Sequence, residues 1–189
     1  MDLPEEDGIY SYVGGRWQRL SVEGPLVPET DGIHVIYFRN SKCPGCRSFD
    51  GVWREFVQMH YSVVNIFVIQ CKSFFVECSD SSASDTFVFY LVFETPQVVA
   101  LVVESGYPVY IEREVGVLDA ETLRSFVLGV RERMSTAPLD ESGEEGEGIY
   151  IDISTKNWKK IVEQLKKLVI EGKALRELCD ERGCKIVVG

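Results

Sequence analysis

The sequence predicts an α/β fold in which strands and helices alternate as β-α-β-α-β-β-α from residue 33. A β-hairpin precedes this unit and a C-terminal β-α-β extension follows it. Three observations predict this. Ile33–Phe38 is a run of β-branched and aromatic residues that leads directly into an amphipathic stretch from Cys46. Apolar runs of strand length recur at Val63–Gln70, Gln97–Val103 and Val109–Val115. A second amphipathic stripe, from Trp158 to Cys179, follows an acidic, glycine-rich segment. Short apolar runs bounded by turn residues mark strands, and three-and-four spacing marks helices.

Residues 9–20 alternate around Gly14-Gly15, the signal of a hairpin. Gly24, Pro25 and Pro28 mark a loop before the strand at Ile33–Phe38. Phe49, Val52, Trp53, Phe56, Val57 and His60 then line one face of a helix of about 15 residues. Val63–Gln70 is the next strand, and Ser79–Asp85 is a polar turn that offers several N-caps. Thr86–Phe93 has the composition of a strand but stands where the alternation calls for a short helix, and a helix is assigned. Glu104-Ser105-Gly106-Tyr107 joins Gln97–Val103 to Val109–Val115 as an antiparallel hairpin. Asp119 caps a helix running to about Met134, with Leu123, Phe126, Val127 and Val130 inward.

Residues 138–148 are acidic and rich in glycine, so they repel one another, stay solvated and read as a linker. Ile149–Ile153 reads as a short strand. The stripe Trp158, Ile161, Val162, Leu165, Leu168, Val169, Leu175, Leu178 and Cys179 reads as a helix that Gly172 could divide, and Lys185–Val188 as a closing strand. The chain thus divides into a hairpin extension (1–32), a main domain (33–137), a linker (138–148) and the extension (149–189).

The 189 residues are 45% hydrophobic, enough for one core with a small appendage. No apolar stretch reaches the roughly 18 residues that cross a membrane. The N-terminus is acidic and lacks the basic-then-apolar order of a secretory signal. These features predict a soluble, cytoplasmic protein. Net charge is −10, but it is uneven: residues 1–154 hold 25 acidic and 11 basic side chains, residues 155–189 hold 5 and 9. A negative body argues against nucleic acid as the main partner, because such binding rests on neutralising phosphates. The basic tail could meet an anionic partner or dock on its own acidic body.

The six cysteines fall into three local pairs, 43/46, 71/78 and 179/184. In a typical cytosol thiols stay reduced and only a catalytic pair cycles, but intracellular proteins of hyperthermophiles are disulfide-rich and the Val-, Glu- and Arg-rich composition fits such a source, so structural disulfides at 71/78 and 179/184 are left open. Zinc takes four ligands, commonly as two close pairs, and spacings of seven and five make poor knuckles. No metal site is predicted. Cys43-Pro44-Gly45-Cys46 is the informative pair. A strand that delivers Cys-x-x-Cys to the first turn of a helix aims backbone N–H groups and the positive end of the helix dipole at the first sulfur. The thiolate favoured there is the species that attacks disulfides. Lys42 and Arg47 flank the pair and push the same way.

The strand–Cys-Pro-Gly-Cys–helix unit, Thr95-Pro96 placed 50 residues beyond Cys46, and the run from Gln97 to Val130 stand in an order that resembles the thioredoxin superfamily over residues 33–134. The resemblance implies a thioredoxin fold, a mixed central sheet flanked by helices. It implies that Cys43 is the attacking thiol and Cys46 the resolving one. It further implies a cis bond at Thr95-Pro96, beside the cysteines, with the Thr95 backbone pairing to an extended substrate strand. Lys42, Pro44, Gly45 and Arg47 complete the expected site. No cofactor is implied beyond a Cys43–Cys46 disulfide; the partners implied are protein disulfides and an upstream reductase.

The departures are specific. Thioredoxins proper carry Trp before the first Cys and Gly-Pro between the two, where this chain has Lys42 and Pro44-Gly45. Pro directly after the first Cys is shared with glutaredoxins. The family's buried Asp, six residues before the first Cys, is here Tyr37, so the proton of the resolving thiol needs another route. A binding or adaptor module on the same scaffold is the alternative function, with residues 149–189 as the docking or dimerisation element.

Overall fold

The computed structural model describes residues 2–137 and 156–188. The N-terminal hairpin is β1 (Gly8–Val13) and β2 (Arg16–Leu20). It is followed by β3 (Gly32–Asn40), α1 (Pro44–His60), β4 (Asn65–Cys71), α2 (Ser81–Phe89), the two-residue β5 (Glu94–Thr95), β6 (Gln97–Glu104), β7 (Tyr107–Val115), α3 (Ala120–Leu128) and α4 (Val130–Thr136). The extension supplies α5 (Trp158–Val169), β8 (Leu175–Cys179) and β9 (Cys184–Val188).

Six strands form one mixed sheet in the order β2-β1-β4-β3-β6-β7. β3 and β4 run parallel, as a crossover through α1 requires, and β3-β6-β7 run antiparallel. The predicted alternation from residue 33 is therefore present, and the N-terminal hairpin extends the same sheet through β1 on β4. Thr86–Phe93, ambiguous by composition, contributes the end of α2. Asp80 caps that helix by accepting from the Ala83 N–H at 2.8 Å. Asp119 caps α3 by accepting from Thr122 N–H at 2.7 Å, and the helix expected to run on to Met134 is interrupted at Gly129.

β3 shows why the core has two halves. Its side chains alternate, so Val35 and Tyr37 join Trp53, Phe56, Leu123 and Val127 beneath α1 and α3. Ile36 and Phe38 join Phe74, Phe87 and Val92 on the opposite face, beside α2. Residues 35–38 are wholly buried, as expected of a central strand covered on both faces.

The extension departs from the sequence reading. Its helix stops at Val169, and Gly172 sits just beyond with φ of 75°, a left-handed conformation suited to a helix end. Leu175–Cys179, expected to be helical, is instead a strand paired antiparallel with β9. Asp180 makes the turn: its side chain accepts from the N–H groups of Arg182 and Gly183 at 2.8 and 3.1 Å. The described part of the extension is thus α-β-β. The strand at Ile149–Ile153 and the linker at 138–148 lie outside the described residues. The basic helix docks on the acidic body: Val162 and Leu165 of α5 pack on Val88 of α2. Lys159 pairs with Glu23, Lys156 with Glu29 and Lys166 with Asp85.

Trp53 has no exposed surface and packs among Tyr37, Phe49 and Phe56. Trp53→Ala should cost about 3–5 kcal/mol through lost burial and the cavity left behind, read as a lowered urea midpoint with intact far-UV signal in its absence.

Candidate active site

The end of β3 and the start of α1 place the two cysteines. Asn40 closes the loop: its carbonyl accepts from the Cys43 N–H at 3.1 Å and its side-chain oxygen from the Lys42 N–H at 2.9 Å. Cys43 is the N-cap of α1, in extended conformation with Pro44 behind it at the first helical position. In that position its sulfur takes the place a Ser or Asp oxygen occupies in an ordinary cap and accepts the Cys46 N–H at 3.3 Å. No acidic residue stands in the first turn to oppose it.

Cys43 and Cys46 are both free thiols with no exposed surface. The Cys43 thiol donates to the carbonyl oxygen of Thr95 at 3.4 Å, and the Asn40 N–H reaches Cys46 Sγ at 3.5 Å. Hydrogen bonding from the Cys46 thiol, then from the Cys46 N–H and the Gly45 N–H, outweighs burial and brings the Cys43 pKa down to about 6. Burial, followed by the hydrogen bond to Cys43 and then the Cys43 charge, pushes Cys46 well up. The pair therefore splits into a thiolate and a thiol that donates to it.

The structure brings Cys43, Cys46, Pro44, Gly45, Thr95 and Pro96 together, with the Thr95–Pro96 bond cis. It does not turn the flanking cations onto the sulfur. Lys42 pairs with Glu77 at 2.6 Å, and the Arg47 guanidinium donates to the Ser41 and Lys42 carbonyls at 3.3 Å. The low Cys43 pKa comes from hydrogen bonds rather than from these charges.

Sequence reasoning missed the polar group behind Cys46. Asp50, one helical turn after Cys46, takes two hydrogen bonds from Arg39 Nε at 3.0 and 3.2 Å and one from Nη2 at 2.8 Å. Arg39 also donates to Gln70 at 2.6 Å. The Tyr37 hydroxyl is within reach of Asp50 at 3.1 Å and of the Cys46 carbonyl at 3.2 Å. Tyr37 is wholly buried, and burial holds its own pKa well above the usual phenol value. A carboxylate is thus supplied from helix α1 rather than from the strand. The spacing Cys46/Asp50 was its only trace in the sequence.

The second missed feature is the β8–β9 hairpin, which lies over the site. β9 pairs with β5, setting Cys184 opposite Thr95 and Lys185 opposite Glu94. Two glycines permit the approach: a Cβ on Gly45 would stand 2.2 Å from the Arg182 carbonyl oxygen, and one on Gly183 would stand 2.3 Å from that of Thr95. Glu177 anchors the hairpin by accepting from the Asn40 side chain at 2.7 Å and from Ser73 Oγ. Cys179 and Cys184 form a disulfide, as do Cys71 and Cys78, deciding the two pairings the sequence left open. Among the described residues one group could offer a metal three ligands, Glu177, Cys179 and Cys184. Two of these three are bonded to each other.

The fold is thioredoxin-like. The β-α-β-α-β-β-α order, the mixed sheet with β3 at its centre and Cys-x-x-Cys at the start of α1 beside Thr95-Pro96 carry that assignment. Among solved structures the chain is similar to a thioredoxin from Aeropyrum pernix at 17% sequence identity, with a TM-score of 0.42. That match covers 69% of this chain and 95% of the other. Neither a protein-family model nor a curated protein matches the sequence.

Two outcomes test the site. Thiolate absorbance near 240 nm should rise as pH increases through about 6 and lose that step in Cys43→Ser. The folded value lies below that of a free thiol, so its contribution to stability of the dithiol form is present at alkaline pH and lost as pH falls through about 6. Gly45→Ala should lift the hairpin: overpacking costs about 1–3 kcal/mol, enough to speed Cys43 alkylation by iodoacetamide roughly tenfold.

Proposed function

We propose that the protein is a thiol–disulfide oxidoreductase that cycles Cys43 and Cys46, acting chiefly as a reductase of protein disulfides. One observation carries this reading: Cys43 at a helix N-cap with a pKa of about 6 beside a protonated partner thiol. A thiolate attacks a disulfide sulfur, whereas a thiol does not, and the optimum attacking thiol has a pKa near the ambient pH. Cys43 attacks the substrate disulfide to give a mixed disulfide. Cys46 then attacks Cys43, releasing the substrate thiol and closing the Cys43–Cys46 disulfide. Electrons return from an upstream reductase.

Thr95 and Pro96 support the reading by their place against Cys43; the Thr95 backbone would receive an extended substrate segment once the β5–β9 pairing opens. Pro44 and Gly45 fill the turn between the two sulfurs. Lys42 and Arg47 border it, placed to contact substrate rather than to tune Cys43. Asp50, held by the Tyr37 hydroxyl that also reaches the Cys46 carbonyl, is the carboxylate we assign to the Cys46 proton. The low pKa of Cys43 stabilises the dithiol and makes the disulfide form a better oxidant. The cytoplasm is the compartment we propose.

An insulin-reduction assay tests this. Cys43→Ser should remove turnover completely, and Cys46→Ser should leave a long-lived mixed disulfide visible on a non-reducing gel. A wild type without turnover, with partner binding unchanged by Cys43→Ser, would instead favour a scaffold whose extension binds a partner.

A further inference from the structure

The hairpin that covers Cys43 carries a disulfide of its own, and the two ends of that disulfide face different surroundings. Cys184 is buried in the same apolar cluster as Cys43 and Cys46. Cys179 is exposed. Register sets Cys184 opposite Thr95, and Thr95 is the residue whose carbonyl accepts the Cys43 thiol. Directly opposed residues on antiparallel strands have Cβ atoms about 4.5–5.5 Å apart. Cys184 therefore occupies, within the same chain, the strand position beside Thr95 next to the attacking sulfur.

Access points the same way. An external protein finds no surface on Cys43 or Cys46 in this conformation. A groove of about 470 Å³ runs along the hairpin and is lined by Thr95, Cys179 and Cys184, but by neither buried cysteine. Of the four cysteines at this site, Cys179 alone is open to a partner.

On the redox reading above, on which this inference rests, we propose that Cys179 and Cys184 form a second redox pair. It is the internal substrate of Cys43/Cys46 and the port through which that buried pair exchanges disulfide with external proteins. The Cys43 thiolate attacks Cys184 Sγ. The Cys43–Cys184 bond forms as the Cys179–Cys184 bond breaks, and the electron pair leaves on Cys179 Sγ, which takes a proton from solvent. Cys46 then gives up its proton and attacks Cys43 Sγ. The Cys43–Cys46 bond forms, the Cys43–Cys184 bond breaks, and Cys184 leaves with the electron pair and takes up a proton. The inner dithiol is oxidised and the outer disulfide reduced, with no third reagent.

The exposed Cys179 thiolate then reduces an external protein disulfide by the same two displacements, with Cys184 as the resolving thiol. An external protein dithiol runs the sequence backwards and recharges the inner pair. The outer pair thus belongs to the reaction path rather than to the scaffold, unlike Cys71–Cys78, which ties the end of β4 to the following loop.

Air-oxidised, full-length Cys46→Ser keeps the outer disulfide but lacks the inner resolving thiol. Treated with N-ethylmaleimide and mapped by peptide mass spectrometry, it should accumulate a Cys43–Cys184 linkage with maleimide on Cys179. The rate should not depend on protein concentration. Maleimide on Cys43 with Cys179–Cys184 intact, or no linkage at all, overturns the relay. The second readout is insulin reduction by Cys179→Ser/Cys184→Ser, expected to fall at least about tenfold once the tethered partner is lost. Turnover that needs Cys43 yet equals or exceeds wild type in this double variant overturns the relay and leaves the inner pair standing. Turnover indifferent to Cys43→Ser overturns the reading beneath it as well.

Discussion

The backbone of Thr95 is the constraint on which the site depends. Its carbonyl oxygen lies 3.4 Å from the Cys43 sulfur and accepts from it when Cys43 is protonated, while its strand β5 pairs with β9. The Cys-x-x-Cys turn, the proline loop and the C-terminal hairpin thus meet at one residue, two of them within hydrogen-bond or van der Waals reach of one oxygen. That crowding dictates Gly45 and Gly183, since any side chain at either would stand inside the neighbouring backbone. It also dictates the burial of both inner sulfurs. A hairpin shifted by one residue along β5 would turn Cys184 outward, because strand side chains alternate. The register is held at its far end by Ile186, which is buried and whose N–H donates to the Phe93 carbonyl at 2.7 Å.

The electrostatics follow from the same burial. Buried from solvent, a thiolate persists only if it is hydrogen-bonded, and Cys43 gathers donors from the first helical turn and from its partner thiol. The Thr95 hydroxyl is buried and has no hydrogen-bond partner. Behind Cys46 the chain meets the opposite problem. A lone carboxylate beneath the resolving thiol would carry a desolvation cost of several kcal/mol. Here Asp50 sits at the margin of the core, compensated by the Arg39 guanidinium, and Tyr37 fills the interior with a neutral hydroxyl. The arrangement holds a carboxylate on the Tyr37 hydroxyl, which also reaches the Cys46 carbonyl, while residues 35–38 of β3 carry no charge.

The central fold was legible because its signals were local and mutually consistent. Ile33–Phe38 could bury on both faces only as a central strand, and Gly14-Gly15 and Asp119 announced a turn and a cap through their own backbone chemistry. The first-turn placement of Cys43 followed from the same strand–helix junction. The extension was not legible. Leu168, Leu175, Leu178 and Cys179 continue a helical spacing, and periodicity alone favoured one long helix. The competing signals, a left-handed Gly172 and the Asp180–Gly183 turn, were each short, and what decides between them is a pairing partner about 90 residues away in β5. Arg39 was equally hidden: in sequence it is a cation on a strand end, and only the helix packed above it supplies Asp50.

Tethering changes the competition for Cys43. A group held on the same chain by a short connection has an effective concentration in the millimolar range, so a free protein disulfide at micromolar concentration starts about a thousandfold behind. The hairpin adds burial to that advantage, since a competitor must first break the β5–β9 pairing and the Glu177 hydrogen bonds to Asn40 and Ser73. A redox-inert hairpin so placed would simply switch the centre off. A hairpin bearing a disulfide, with one sulfur facing in and one facing out, converts the same cover into a conductor: the groove then selects partners by their fit to Cys179 and its strand, while the reactive thiolate is kept from small oxidants. Selectivity and protection come from one element, and both hold as long as Thr95 keeps its two neighbours.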